Sequence, residues 1–413
     1  MNTRFPAFSL ACVCAMTLAC GNAAAQAQSA TGGADELRQL REDVQQLKSE
    51  LESVKEQKTG PQWGDLSVFG YGEISYSRLS NDPASATATV RRGVVGFAYR
   101  FSERTRFVSE LELENAVVSK DDEGEIEWEQ FYIEQDITQG TSAKMGLFLM
   151  PFGYLNEVHE PTHYYGVFRN LVETAIIPTT WREVGLGLRG TTEAGLRWDA
   201  GVVTGFDLTK WDASSTEGRD SPLGSIHQEG QLAKAASPAV YAALNYNGIP
   251  GFNAGGSYYY GGAGQKQPNF AAPDAKIDLI EIHARWQPGR WDLSVLSALG
   301  RFHNVAALNA TFAGQPTPVP DRFGGWYAQG AYRLWQGGDY SLVPFARYEQ
   351  LNTAISYSGL PMGLAPDNAP DTRVWTAGAS FYLHPQVVLK LDVQRYLNDS
   401  DLNRVNVGVG FHF

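Results

Sequence analysis

Cysteine is almost absent from this chain of 413 residues. Cys12, Cys14 and Cys20 are the only three, and all lie within the first twenty positions. A mature chain without this segment has no disulfide and no thiol nucleophile. Basic residues are also few, since 33 Lys and Arg stand against 45 Asp and Glu and give a formal charge of −12. This balance argues against a nucleic-acid partner, which requires a basic face for phosphates.

Long apolar runs are missing as well. Beyond the first twenty residues, no stretch approaches the roughly 18 consecutive apolar positions that a membrane-spanning helix needs. This excludes a bundle of transmembrane helices. It does not exclude a transmembrane β-barrel, because the apolar positions of a barrel strand alternate with polar ones.

Residues 1–25 predict a secretory signal peptide. Arg4 lies in a short polar start, residues 7–18 are mostly apolar, and three alanines follow at residues 23–25 as a cleavage region. The tripeptide Leu18-Ala19-Cys20 also resembles part of a lipoprotein processing site. Lipidation of Cys20 is therefore a second interpretation of this segment.

Residues 26–63 carry a heptad pattern followed by a linker. Apolar residues recur at spacings of 3, 4, 3, 4 and 3, which is the a/d seam of a coiled coil. Residues at g and the following e positions have opposite charge, as in Glu36 and Arg41, which favours a parallel coiled coil. We predict a short periplasmic coiled-coil helix. Its heptad pattern does not distinguish a dimer from a trimer, and it does not show whether the helix binds a partner. Its seam consists of Leu37, Leu40, Val44, Leu47, Leu51 and Val54.

From Leu66 onward the apolar period changes to 2, the period of a β-strand. Short and long connections alternate between these segments, as in outer-membrane barrels with short periplasmic turns and longer extracellular loops. We therefore predict that residues 64–413 form an all-β transmembrane barrel of 16 antiparallel strands. The strands are predicted to begin near residues 66, 88, 104, 126, 142, 183, 196, 238, 252, 276, 291, 324, 340, 373, 387 and 403.

The chain ends on an alternating apolar strand with a terminal phenylalanine. Such an ending resembles the sorting signal of outer-membrane barrels, which implies the barrel-assembly machinery as a partner during biogenesis. We predict a bacterial outer-membrane protein surrounded by lipid, with its N-terminal segment in the periplasm. The outward face of the last strand consists of Val405, Val407, Val409, Phe411 and Phe413.

Aromatic residues at predicted strand ends support the membrane interpretation, because amphipathic rings prefer the level of the lipid headgroups. We expect these rings to form girdles around the barrel. The candidates are Trp286, Trp291, Tyr332, Trp335, Tyr340, Trp375 and Tyr382.

Several short motifs resemble the phosphate-selective porins of the O and P family. Leu149-Met150-Pro151-Phe152-Gly153, followed by Glu157, is similar to the strand-to-loop segment of that family. Pro344-Phe345-Ala346-Arg347-Tyr348-Glu349 and Val388-Leu389-Lys390-Leu391-Asp392-Val393 are similar to its later strands. The resemblance implies a sixteen-stranded homotrimeric porin whose third extracellular loop, here residues 150–182, folds into the lumen and forms the constriction.

The charges favour a moderately selective porin over a dedicated phosphate channel. A phosphate path requires Arg and Lys donors, whereas the loop and the inward strand positions offer both signs and no arginine ladder. We predict passive diffusion of small hydrophilic solutes or ions, anions such as phosphate among them, without a cofactor. Replacing Arg169 and Arg182 together with Ala is expected to lower anion preference. The pore-lining or constriction candidates are Arg92, Arg100, Arg106, Glu110, Glu112, Glu114, Glu157, His163, Arg169, Arg182, Arg285, Arg347 and Lys390.

Functions other than a channel have little support in the sequence. The segment His159-Glu160-Pro161-Thr162-His163 matches the H-E-x-x-H zinc motif, but that motif requires a helix and Pro161 opposes one. No G-x-S-x-G stretch occurs, so we predict no enzyme and no metal site. A barrel-type outer-membrane hydrolase and an envelope tether anchored by the barrel remain the alternatives. The solute preference is not readable from the sequence.

Overall fold

The computed structural model describes residues 65–122, 124–364, 366 and 371–413. The predicted signal peptide, coiled-coil seam and linker lie outside the described residues. Sixteen barrel strands follow one another along the chain. They are β1 (Leu66–Leu79), β2 (Thr87–Arg100), β3 (Thr105–Glu114), β4 (Ile126–Thr138), β5 (Thr141–Leu149), β6 (Arg182–Thr191), β7 (Leu196–Val203), β8 (Ala239–Ile249), β9 (Phe252–Gly262), β10 (Lys276–Trp286), β11 (Trp291–His303), β12 (Arg322–Tyr332), β13 (Tyr340–Ser356), β14 (Thr372–His384), β15 (Val387–Tyr396) and β16 (Arg404–His412).

Each strand pairs antiparallel with its neighbours in the chain, and the first pairs with the last. A three-residue strand, Trp335–Gly337, continues β12 against β13 and is counted with it. The closing pair β1–β16 is in register from Tyr71 opposite His412 to Leu79 opposite Arg404. Closure leaves no open sheet edge, so the backbone groups of every strand find partners. The predicted antiparallel barrel is confirmed, and the strand starts agree with the predicted ones to within two residues.

Side chains alternate between the two faces of the sheet, as the period of 2 requires. In β2, Val95 and Phe97 are exposed on the outside, while Arg92 and Val94 are buried inside the barrel. The same alternation in β16 exposes Val407 and Phe411. The outer face is therefore an apolar surface of the kind that lipid tails cover.

Most of the predicted girdle aromatics point outward near the short turns. Trp286, Trp291, Trp335 and Tyr340 are each exposed. The girdle prediction is wrong for Tyr382, because its ring packs inside the barrel and its hydroxyl donates a hydrogen bond to the carbonyl of Thr162 at 3.2 Å. Its position near a strand end predicts a girdle residue, but its side chain belongs to the face of β14 that points into the barrel.

Helical turns occur only in the connections among the described residues. Two are α-helical, α1 (Glu217–Asp220) and α2 (Ala306–Thr311), and Val172–Ile176 forms a π-helical turn. Aspartate N-caps begin three of the four 3₁₀ turns by accepting a backbone N–H two residues on. No helix within the described ranges is long and apolar enough to cross a membrane. The 3₁₀ turns are Pro83–Ser85, Leu208–Lys210, Gly224–Ile226 and Ser400–Leu402.

An apolar core fills part of the barrel interior where loop 150–181 joins β5 and β6. Trp181 stacks on Phe206 with ring centroids 5.2 Å apart and contacts Phe152 at 4.9 Å. Tyr259 of β9 packs edge-on against both Trp181 and Phe206. These rings hold the two ends of the loop against the inner wall.

Candidate functional site

Loop 150–181 leaves β5 and turns into the barrel, and one side chain holds its two ends together. Asn156 donates from Nδ2 to the carbonyls of Met150 and Trp181, both at 2.7 Å. Its Oδ1 accepts the backbone N–H of Trp181 at 2.6 Å. The amide therefore joins the entry of the loop to its exit.

Glu173 holds the two arms of the loop together. Its carboxylate accepts the backbone N–H groups of Tyr154 and Leu155 at 2.7 and 2.8 Å. It also accepts from Asn170 Nδ2 at 2.9 Å and from the Tyr327 hydroxyl of β12 at 2.8 Å. Burial raises the pKa of the Glu173 carboxyl, and these four donors act in the opposite direction. A Cβ on Gly153 would overlap Glu173 Oε2, so the turn requires glycine there.

The middle of the loop is bonded to acidic side chains on four strands of the inner wall. Hydroxyl and backbone donors of the loop face these carboxylates at hydrogen-bond distance, so the loop is held across the lumen rather than at its ends alone. The pairs are Tyr164 to Glu73 at 2.7 Å, Tyr165 to Asp292 at 3.1 Å, Val167 N–H to Asp392 at 2.6 Å and Leu171 N–H to Glu349 at 2.6 Å.

Glu157 lies in a cationic corner formed by β5, β6 and β7. Lys144 Nζ lies 3.7 Å from its carboxylate, and Arg189 and Arg197 pair with it directly. Burial would raise the pKa of Glu157, but Arg189, Lys144 and Arg197 outweigh burial and lower it to about 2. Asp199 pairs with both arginines, so three cations meet two carboxylates. The sequence predicted Glu157 but not its partners, although the inward phase of Lys144 and Arg189 was visible.

Polar donors without hydrogen bonds gather on the inner face of β13, β14 and β15. Lys390 Nζ makes no hydrogen bond within the described part of the chain and lies 3.6 Å from the centroid of the Tyr164 ring. The same lack holds for Arg347 Nη2, Thr376 Oγ1 and Ser380 Oγ among the described residues. We call these four residues, Arg347, Thr376, Ser380 and Lys390, the donor cluster. In register, Arg347 lies opposite Thr376 and Lys390 lies opposite Ser380.

The guanidinium of Arg169 adds to the charge near the donor cluster. Arg169 lies within electrostatic range of Lys390. Its Nη1 donates to the hydroxyls of Thr179 and Thr180, at 2.8 Å for Thr180, while Nε and Nη2 have no hydrogen-bond partner in the described residues. Arg347, by contrast, uses Nε for Glu349 at 2.8 Å and Nη1 for the Tyr165 carbonyl at 3.2 Å. The predicted candidates Arg169, Arg347 and Lys390 are thus brought together by the fold.

Acidic side chains dominate the part of the inner wall formed by β3 and β4. Arg92 of β2 lies 3.3 Å from Glu112 and 3.6 Å from Glu114. Glu110 accepts a hydrogen bond from Gln130 at 2.7 Å. The predicted candidates Arg92, Glu110, Glu112 and Glu114 therefore share one inner wall. Glu73 links this acidic wall to the donor cluster, because it pairs with Arg92 and accepts a hydrogen bond from Tyr164, whose ring lies under Lys390.

Four predicted candidates pair within the protein or lie near the short turns. Arg182 is 2% exposed and pairs with Glu127 and with Glu229 at 2.9 Å, which occupies its guanidinium with protein groups. Arg106 pairs with Glu134 at 2.9 Å and Arg285 with Asp292 at 2.8 Å. Arg100 is exposed at the end of β2.

Residues 159–163, which match H-E-x-x-H, do not form a helix. His163 is exposed and lies 3.4 Å from Glu160, whereas His159 is 3% exposed and faces Glu129 of β4 at 3.5 Å. Burial would lower the pKa of His159, but the Glu129 carboxylate outweighs it and raises the pKa. Neither Glu129 nor its contact with His159 was predicted, because no local pattern relates a strand position to a loop residue across the lumen.

The comparisons with known proteins agree with this architecture. The chain matches no protein-family model. An uncharacterized protein of Aquifex aeolicus (strain VF5) is 27% identical over 339 residues, covering 80% of this chain and 75% of that protein. Salmonella typhi OmpF in complex with daunomycin has a TM-score of 0.57 and 12% identity over 84% of this chain and 97% of its own. A loop L8 deletion mutant of OmpT, an outer membrane protein of Vibrio cholerae, has a TM-score of 0.53 and 10% identity over 84% of this chain and 99% of its own. The fold is therefore that of an outer-membrane barrel.

Proposed function

We propose that this protein is an outer-membrane porin for passive diffusion of small hydrophilic solutes, with a preference for anions and an oxyanion such as phosphate as a favoured solute. The observation that carries the proposal is the donor cluster inside the barrel, where buried cationic and hydroxyl groups have unused hydrogen-bonding capacity. The loop that crosses the lumen forms the constriction beside it.

An anion supplies the hydrogen-bond acceptors that the donor cluster lacks. Buried polar groups in proteins normally have a partner, and unpaired ones carry a free-energy cost of about 1–3 kcal/mol each. Lys390 Nζ and Arg347 Nη2 are donors only, and the hydroxyls of Thr376 and Ser380 can turn to donate. Thr376 and Ser380 are four residues, or about 13 Å, apart along β14, so an anion passes from one hydroxyl to the other instead of binding both at once. The charge-assisted bonds to Arg347 and Lys390 are the strong ones.

The neighbouring carboxylates limit how strongly an anion is held. Asp392, Glu349 and Glu73 lie on the same inner surface and offset much of the positive charge. A weakly held anion leaves as readily as it enters, which a channel requires. This supports moderate selectivity, and it agrees with the motifs that resemble the phosphate-selective porins.

Planar-bilayer recording of the refolded full chain tests the proposal. We expect a reversal potential of the sign for anion preference in a KCl gradient, and block of the current by added phosphate. Lys390→Gln should raise the phosphate concentration for half block by about tenfold, since about 1.4 kcal/mol of binding is lost with one charge-assisted bond. Lys276→Gln, at an exposed lysine on β10, is the matched control.

Each other outcome points elsewhere. A Lys390→Gln channel with the selectivity and phosphate block of the parent would contradict the donor cluster as the anion site. Cation preference in the parent would contradict anion selectivity but keep the porin. A folded barrel without conductance would favour the tether or the hydrolase. Openings in groups of three would support the homotrimer that the resemblance implies.

A further inference from the structure

A carboxylate and histidine cluster lies where loop 150–181 meets β3 and β4. Its members are Glu110, Glu129 and His159, and one potential ligand atom from each lies within 4.8 Å of the other two. Glu129 is fully buried and His159 is 3% exposed. The three residues come from separate segments of the chain, so only the closed barrel with its inserted loop brings them together.

The hydrogen bonds of His159 leave one ring nitrogen without a donor partner. Nδ1 lies 3.0 Å from the carbonyl of Asn156, which only accepts, so Nδ1 carries a hydrogen. In the neutral ring, Nε2 then presents its lone pair to Glu129 Oε2 at 3.5 Å. Two acceptors that face each other require a positive particle between them, either a proton on Nε2 or a cation. A carbonyl that holds the distal nitrogen is also what metal-ligating histidines commonly have.

The surrounding carboxylates favour a cation with a higher charge than a proton. The carboxylate of Glu112, which is 1% exposed, lies against that of Glu129, and its Oε1 makes no hydrogen bond within the described residues. Arg92 serves Glu73, Glu112 and Glu114 together. Glu110 has only the neutral Gln130 as its hydrogen-bond partner in the described part of the chain. Glu129 accepts from the Tyr71 hydroxyl at 3.2 and 3.3 Å, and His159 is the basic residue of the cluster.

We propose that Glu110, Glu129 and His159 bind one Zn²⁺ ion that joins the constriction loop to the barrel wall. Zinc takes carboxylate oxygen and imidazole nitrogen ligands at about 2.0–2.2 Å in tetrahedral geometry, which places two ligand atoms about 3.4 Å apart. The 3.5 Å between His159 Nε2 and Glu129 Oε2 already has this spacing. The third ligand, Glu110, is partly exposed and has to move, together with its Gln130 hydrogen bond, to close the remaining distance. Water or Glu112 supplies the fourth ligand.

This site differs from the H-E-x-x-H zinc motif of residues 159–163. That motif needs His159 and His163 on one helical face, whereas this donor set uses His159 with two strand carboxylates. The proposal does not depend on anion selectivity, since the donor cluster lies on other strands. Bound zinc would replace the proton on His159, so its binding releases protons and strengthens as pH rises through the pKa of that histidine.

Equilibrium dialysis of the folded full chain against ZnCl₂, read by elemental analysis, tests the site. We expect one zinc ion per chain, with zinc K-edge absorption showing nitrogen and oxygen ligands only. His159→Gln and Glu110→Gln should each weaken zinc binding by at least about tenfold. The matched control is His163→Gln, which removes the other histidine of the same segment and should bind zinc as the parent does.

The variants also separate this site from other zinc binding. Glu110→Gln changes a partly exposed residue, so it keeps the test usable if His159→Gln fails to fold, and heat-modifiable gel mobility reports folding for each variant. Parent protein that binds no zinc at pH 8 would overturn the proposal. Equal zinc affinity in the parent and both ligand variants would also overturn it. Loss of binding in His163→Gln alone would overturn it as well, because the ion would then lie at His163 and Glu160.

Discussion

At the scale of single residues, two side chains fix the geometry of loop 150–181, because each makes several hydrogen bonds. Glu173 accepts four hydrogen bonds and Asn156 makes three, and both serve the geometry of the loop. The donor cluster is the contrast, because its groups have positions left over. Glu173 and Asn156 therefore hold the loop in place, whereas the donor cluster has hydrogen-bonding capacity left for a solute.

Glu173→Gln is expected to loosen the loop without unfolding the barrel. The amide nitrogen of Gln would face N–H and O–H groups whose hydrogen bonds the carboxylate now accepts. Losing these bonds costs about 1–3 kcal/mol of stability in the loop. Hydrogen exchange of residues 150–181 measures this, and exchange there should rise while the strands keep their protection. Glu217→Gln, at an exposed acidic residue of α1, is the control. Unchanged exchange in Glu173→Gln would show that the apolar core alone holds the loop.

At the scale of elements, the loop packs directly on β16 because that strand presents glycine inward. Gly408 and Gly410 alternate with the outward residues Val407 and Val409. A Cβ on Gly410 would overlap the Cβ of Pro161, so the loop approaches closer than any side chain would permit. The alternation that makes the outer face apolar thus also makes room for the loop on the inner face.

Gly410→Ala is expected to push the Pro161 segment away from β16, because overpacking a close contact costs about 1–3 kcal/mol. Protease cleavage within residues 159–164 should become faster, and single-channel conductance should change with the position of the loop. Gly93→Ala in β2 is the matched control, since no atom lies within 4 Å of a Cβ built there. Equal cleavage rates in the two variants would contradict this account of the contact.

At the scale of the whole molecule, closure of the sheet brings distant parts of the chain into one site. Tyr71 of the first strand lies opposite His412 of the last, and Thr162 of the loop hydrogen-bonds both His412 and Tyr382. The barrel comprises the described residues from Leu66 to His412. Every residue of the channel that we propose lies within this range.

Deleting residues 35–58 is expected to leave single-channel conductance and ion selectivity unchanged. All groups of the proposed path lie in the barrel and in loop 150–181, so removal of the heptad segment takes away none of them. Bilayer recording of the deletion variant beside the full chain measures this, and size analysis in detergent reports the oligomeric state. Lost conductance in a folded, trimeric deletion variant would show that the N-terminal segment takes part in the channel.

The sequence by itself determined the barrel, because an apolar period of 2 indicates both that a segment is a strand and to which face of the sheet each side chain points. It therefore placed Arg92, Glu112, Arg347 and Lys390 on the inner face, and it identified residues 150–182 as the long connection. Only the tertiary structure decided which of these charges meet. Lys390 against Tyr164, Arg182 against Glu127, and His159 against Glu129 are contacts between segments far apart in the chain. Alternation is a local property of the backbone, whereas such contacts depend on strand register and on the path of an irregular loop across the closed barrel.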